Sequence, residues 1–360
     1  MIPCAEMVRF GKNGSDATSG AVRLARAYTG RDRIAVCGYH GWQDWYIGST
    51  ARNRGVPSAV SALTHVFQYN SLESLSDVLR KHPGEFAAVI LEPMNVVDPV
   101  AGFLEGVKSL AHQHGALLVF DETITGFRFA NGGAQAYFNV TPDLATFGKG
   151  LANGYPLSAV VGRKDIMILM EEIFFSFTFG GELLSLAASN ACLDKYAQKD
   201  VVKTMFEIGT LLKKGVVDLI GKHDLSDVLS ISGHPAWTFL NFKDHPTATL
   251  MELKTFFLQE VFCRGILTAG THNISFAHNQ AKIFGKPTRK PHRRLQYGCV
   301  LFQDLFRSEE STHRKARRRE HSFYALCSRP DDPSKLLMIR TSVILEKDLE
   351  RRSFLGRSFK

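Results

Sequence analysis

A chain of 360 residues can bury roughly 75% of its unfolded surface in one large domain with a satellite, which excludes a small stapled scaffold. Its six cysteines, Cys4, Cys37, Cys192, Cys263, Cys299 and Cys327, are scattered without a Cys-x-x-Cys pair, which argues against a zinc site or disulfide framework and for a reducing cytoplasm. The formal net charge of +9 belongs to one end, since residues 281–360 hold 20 Lys+Arg against 9 Asp+Glu and residues 1–280 hold 24 against 26.

In chain order, the first informative stretch is FGKNGSDATSGAVRLARAYTG, from Phe10. A Gly-Ser-Asp turn runs into a helix with Ala21, Leu24, Ala25 and Tyr28 on one face, closed by Gly30. Ser15 or Asp16 is the expected N-cap, and the free amides and helix dipole there suit an anion, preferably a phosphate. An ordinary capped helix is the competing reading. VCGYHGW follows, strand-like and then aromatic, with Tyr39 and His40 leaving the sheet edge.

AAVILEP is a short apolar run read as a buried strand ending at Glu92. FLEGVKSLAHQHG places Leu104, Val107, Leu110 and Ala111 on one helical face and stops at Gly115. His112 and His114, two apart on that helix, face different ways, so no metal site is expected. ALLVFDE is a second buried strand, ending at Asp121, while LATFGKG and LSAVVG read as further short strands, the first ending at Lys149. Strands alternating with helices predict an α/β fold with a mostly parallel sheet covered on both faces.

IMILMEEIFFSFTF is the most apolar stretch. Glu171 and Glu172 interrupt it, and it falls short of the ~20 residues a bilayer requires, so the chain reads as soluble, with no membrane partner. A helix should start near Glu182, after Thr178 and a double glycine, and another should run from Val202 to His223. AWTFLNF reads as a strand, and TLMELKTFFLQEVFCRG as a helix with Leu250, Leu253, Phe257 and Val261 on one face. GILTAGTHNISFAHN returns to strand-like character, which makes this part a smaller α+β unit.

Ligands of such sheets bind beyond the carboxyl ends of the strands, where Asp121, Lys149 and Glu92 fall. A surface charge at a strand exit is the bland reading of each alone. Lys149 does not belong to a phosphate loop, which needs a glycine five residues earlier and Ser or Thr next; Leu144 and Gly150 occupy those places. A phosphate site, an aromatic, a carboxylate and a lysine together suit a phosphorylated aromatic aldehyde that forms a Schiff base, which is pyridoxal phosphate. The lysine then forms the imine and, once displaced, moves a proton as a general base, for which its pKa must fall from about 10.4.

Residues 6 to about 279 resemble a class-III, fold type I pyridoxal-phosphate aminotransferase, near the glutamate-1-semialdehyde 2,1-aminomutase branch. NGSDATSGAVRLAR, GYHGW, ILEP, VFDETITGFR, FGKGLANGYPLSAVVGR and TFGGE carry the resemblance, in the family's order. It implies a PLP-binding large domain over residues 1–200 and a partial small domain over 201–282. Lys149 would form the Schiff base and Asp121 would pair with the pyridinium nitrogen. Tyr39 would stack on the ring, and Gly14 and Ser15 would bind the phosphate. Thr178 would reach the phosphate of the other protomer in a homodimer with shared active sites. His40, Glu92 and Glu122 are implied as supporting residues, with a structural ion pair as the alternative for Glu122 and Arg128.

The implied activity is transfer of an amino group from an amino acid to an aldehyde or keto acceptor. The alternatives are an aminomutase-type isomerase or a catalytically impaired remnant. The remnant reading arises because a typical family member has a further segment before the phosphate motif, so this chain reads as N-terminally truncated. Residues 283–360 read as a basic tail, non-homologous or disordered, without the aromatic interleaving that nucleic-acid binding would favour.

Overall fold

The computed structural model describes residues 1–263 and 266–279, residue 283, and the backbone of two strands at 325–329 and 332–339. The remainder of the expected tail lies outside the described residues.

Strand β1 (Met7–Gly11) leads into α1 (Gly14–Thr29), and β2 (Arg33–Cys37) follows. Two single-turn helices, α2 (Asp44–Ile47) and α3 (Ser58–Ser61), precede β3 (Thr64–Val66) and α4 (Leu72–Lys81). Then come β4 (Phe86–Leu91), α5 (Phe103–Gln113), β5 (Leu117–Asp121), α6 (Gly133–Tyr137), β6 (Leu144–Phe147) and β7 (Ser158–Gly162). The seven strands form one sheet in the order β1-β7-β6-β5-β4-β2-β3. Neighbours from β3 to β6 pair in parallel, while β7 pairs antiparallel with both β6 and β1. Strand β1 therefore points the same way as the parallel set.

Period-two alternation on strands buried on both faces produces two cores. Leu118 and Phe120 of β5 face Leu75, Leu79, Phe103 and Val107 of α4 and α5. Leu117 and Val119 face the other way, toward Ala21, Leu24 and Ala25 of α1. Small residues on that face of α1 let the helix lie close over the strands.

After α7 (Lys164–Met167), helices α8 (Leu183–Gln198) and α9 (Val201–Lys222) lead to β8 (Leu229–His234), β9 (Trp237–Phe242), α10 (Leu250–Cys263) and β10 (Thr271–Asn273). These last strands form an antiparallel sheet, β10-β9-β8. Met205, Leu212 and Val216 of α9 and Phe257 and Val261 of α10 share a core with Leu229 and Leu240. The backbone strands β11 (Ala325–Arg329) and β12 (Asp332–Ile339) pair antiparallel.

Several details correct the sequence-based expectation. The N-cap of α1 is Asn13, whose side chain accepts from the Asp16 amide while Asp16 caps Asn13 in return. Strand β6 stops at Phe147, and Lys149 opens a 3-10 turn to Leu151. Tyr28 and Leu250 are exposed rather than buried on their helix faces; Tyr28 reaches outward to donate to Asp165 Oδ2.

Candidate active site

Because β1, β2, β4, β5 and β6 run in one direction, their carboxyl ends open onto one edge. The start of α1 follows the first, Tyr39 and His40 the second, and Glu92 the third. Asp121 ends the fourth strand, and Lys149 lies just past the fifth. Residues scattered over some 135 positions thus meet where a parallel sheet receives ligands.

Asp121 is withdrawn from solvent. Its Oδ2 lies 2.9 Å from His40 Nδ1, and its Oδ1 accepts from the Thr123 hydroxyl at 2.6 Å, the Thr123 amide at 3.1 Å and the Thr146 hydroxyl at 3.1 Å. Burial alone would raise its pKa, but the hydrogen bonds and charge of His40 and the Thr123 donors outweigh burial and hold it below the usual carboxylate value. His40 Nε2 faces the Cys37 carbonyl at 3.1 Å. Both ring nitrogens therefore lie beside oxygen acceptors, which fixes the orientation of the ring.

Glu92 is also buried, and its Oε2 accepts from the Tyr39 amide at 3.0 Å and the Asn95 side chain at 2.6 Å. Burial and the nearby Asp121 push its pKa up. It fixes the backbone of Tyr39, a residue 60% exposed whose ring meets that of Tyr46 edge-on at 5.6 Å.

Lys149 has φ +41°, in the left-handed region that a side chain rarely adopts, a strain of roughly 1–3 kcal/mol that structures retain mainly at functional sites. Lys149 is exposed as a residue, yet the packing around its amine lowers its pKa by desolvation; Asp121 and Glu92 oppose that shift and Arg128 reinforces it.

At the start of α1, Asn13 and Asp16 cap each other, which leaves the first amides, those of Gly14 and Ser15, without an intrahelical acceptor. Bare backbone lines this corner. A Cβ on Gly41 would meet Ser15 Oγ at 2.2 Å, and one on Gly14 would meet Thr123 Cγ2 at 3.0 Å. The Trp42 amide donates to Ser15 Oγ at 3.1 Å. A larger residue at either glycine would push Ser15 or Thr123 out of place.

Thr178 and Glu122 lie outside the set of strand ends. Thr178 is exposed on the loop before α8; the end of that loop is tied to the start of α1 by Lys12 and Glu182 at 2.9 Å. Glu122 is buried. Its Oε1 accepts from the Gln135 amide and side chain, and its Oε2 from Thr125 and the Ala134 amide. Neither Glu122 nor Arg128 has an ion-pair partner among the described residues. Thr123, Thr146 and Asn95 complete the site without having been anticipated. The first two follow or flank an aspartate at a strand end, a pattern that only known strand pairing makes meaningful.

Comparison with known proteins identifies the family of the chain. The aminotransferase class-III family matches residues 1–279. The 3-aminobutyryl-CoA aminotransferase of Cloacimonas acidaminovorans is 33% identical over 292 residues, covering 79% of this chain and 69% of the relative. The glutamate-1-semialdehyde 2,1-aminomutase of Haloquadratum walsbyi is 40% identical over 234 residues, covering 61% of this chain and 52% of the relative. The chain thus spans about half the length of that aminomutase. Among solved structures, the FumI protein of Sphingopyxis sp. MTA144, in its PLP internal aldimine form, superposes with a TM-score of 0.70 at 29% identity, covering 78% of this chain and 68% of that one.

Proposed function

We propose that this chain, which belongs to the class-III aminotransferases and so to the pyridoxal-phosphate-dependent enzymes, transfers an amino group from an amino acid to an aldehyde or keto acceptor. The observation that carries the reading is the pairing of β5 with β6, which sets Asp121 opposite Thr146 and delivers Lys149 one short turn beyond it. A carboxylate held ionised and an amine held below its ordinary pKa then face one space.

The residues present fit the cofactor: the first α1 amides are free of intrahelical acceptors, the absence of a Cβ on Gly41 and Gly14 lets Ser15 and Thr123 pack directly against that bare backbone, and Asp121 is a buried carboxylate held below its usual pKa. When bound, pyridoxal phosphate supplies an aldehyde for imine formation and a ring that withdraws electrons. Gly14 and Ser15 hold the phosphate through backbone amides and the Ser15 hydroxyl. The Asp121 carboxylate holds the ring nitrogen protonated, and His40 keeps that carboxylate oriented and charged. Tyr39 covers the ring, with its backbone fixed by Glu92. Lys149 Nζ would hold the cofactor through its aldehyde and, when displaced, would carry the α-proton of the amino acid, which its lowered pKa favours. Thr178 serves the neighbouring phosphate in a homodimer. The domain division falls near residue 200, where the core of α9, α10 and β8–β10 begins.

Incubation with amino donors and a range of aldehydes or keto acids, with product detection, tests the transfer. The 40% identity to an aminomutase favours intramolecular isomerisation as the second reading; product formed from the semialdehyde alone, with no separate acceptor, would establish it and overturn the first.

A further inference from the structure

Arg128 lies on the segment that leaves β5, and its contacts reach far from it. Its Nε donates to the Ile124 carbonyl at 3.3 Å, keeping the side chain on its own segment. Its Nη1 donates to the carbonyls of Ala236 and Ile274, both at 2.9 Å. Ala236 is in the turn between β8 and β9, and Ile274 directly follows β10, so one nitrogen gathers two strands of the small sheet. The Ala236 carbonyl also accepts from the Ile274 amide at 3.1 Å.

The same turn is held from its far side by α9. Lys213 Nζ donates to the Gly233 carbonyl at 2.9 Å, and Gly209 approaches Pro235 so closely that a Cβ there would meet its carbonyl oxygen at 1.9 Å. The turn is fixed between α9 and Arg128. A neutral donor could make the carbonyl contacts, and a partly buried guanidinium without a carboxylate partner is an expensive way to make them. The charge therefore needs its own account.

We propose that Arg128 is a positioning residue for the reaction: it locks the small sheet against the edge carrying Asp121 and Lys149, and it presents to the Lys149 amine a positive charge that no described carboxylate neutralises. The second half rests on the reading of Lys149 as the reactive amine; the first does not. The segment that carries Arg128 packs on the lysine turn: a Cβ on Gly150 would stand 3.5 Å from the Gly126 carbonyl oxygen and 3.7 Å from the Tyr196 hydroxyl of α8. The charges that act on the amine are those of Asp121 on β5, Glu92 beyond β4, and Arg128. Asp121 and Glu92 favour the ammonium. Arg128 opposes them, and without it burial alone would do so.

The test uses the chain without added cofactor. Acetic anhydride labelling of Lys149 is followed against pH by mass spectrometry, and hydrogen exchange is followed at the Ile274 amide. Arg128→Met is expected to move the Lys149 labelling midpoint up and to raise exchange at Ile274 by about tenfold. Arg128→Lys keeps the charge and loses the two-carbonyl geometry, so its midpoint should stay near wild type while exchange still rises. If Arg128→Met does not fold, Arg128→Gln takes its place. An unchanged labelling midpoint in the neutral variant overturns the electrostatic half, and unchanged exchange in both variants overturns the lock. Failure of Lys149 to hold the cofactor, measured separately by Lys149→Ala, would remove the functional reading without altering either of these results.

Discussion

His40 Nδ1 lies 2.9 Å from Asp121 Oδ2, and both side chains are almost fully withdrawn from solvent. The pair decides what the sheet edge can do. Burial works against an ionised Asp121, and the imidazole is the first of the groups that overcome it. His40→Phe should therefore raise the Asp121 pKa, moving the acid limb of the activity profile to higher pH, and lower activity at neutral pH by roughly 10–100-fold, the loss of a hydrogen bond to a charged group. Asp121→Asn should lose roughly 100–1000-fold at every pH. Equal losses across pH for His40→Phe would show that the imidazole acts by packing alone.

Gly41 and Gly55 both have strongly positive φ, +107° and +93°, but only Gly41 has neighbours within reach of a Cβ. Alanine at either strains the backbone and should destabilise by about 1–3 kcal/mol. Gly41→Ala should in addition displace Ser15 and weaken cofactor binding at least tenfold. Titration with pyridoxal phosphate, followed by absorbance, separates the two effects, since Gly55→Ala should bind as tightly as wild type.

His234 is buried against Phe129, its ring stacked at 4.0 Å, and accepts from the Ala236 amide through Nδ1. Burial, then the charges of Arg128 and Lys213, lower its pKa to about 4. A histidine whose folded pKa lies below its unfolded value contributes stability that is present above about pH 6.5 and declines as the pH falls toward 4. Denaturant unfolding should lose roughly 1–3 kcal/mol across that window, and His234→Gln should flatten the decline. An unaltered slope in the variant would assign the acid sensitivity to other groups.

Local sequence pattern was enough to place Asp121 and Lys149 at strand exits, because continuous apolar runs such as ALLVFDE announce buried parallel strands whose ends are polar. It was not enough to find β1, whose five residues include Arg9 and form a sheet edge, or β8, LSISGH, which is paired on one side only and carries three polar residues. Helix α4 also went unread, although Ser71 caps it and Leu75 and Leu79 bury one face. The cap at Asn13 was missed because Gly-Ser-Asp offers two ordinary cap residues just inside the true boundary. Helix periodicity overestimated Leu250 because α10 buries only its second half. The contacts of Arg128 with Ala236 and Ile274 span more than a hundred residues and have no local signature. His40 was anticipated only as support, since nothing short of the β2–β4–β5 pairing shows that it reaches Asp121.

The remaining prediction concerns Lys149 itself, whose replacement by alanine should lower amino transfer by at least 100-fold, the lower range for loss of a positioned proton carrier. The direct measurement is to incubate the purified chain with pyridoxal phosphate, record the visible imine band, reduce with borohydride and locate the cofactor by peptide mass spectrometry. The account predicts an imine band that Lys149→Ala lacks, and cofactor mass on the peptide containing Lys149. Cofactor fixed to another lysine, or the same band retained in Lys149→Ala, would contradict it.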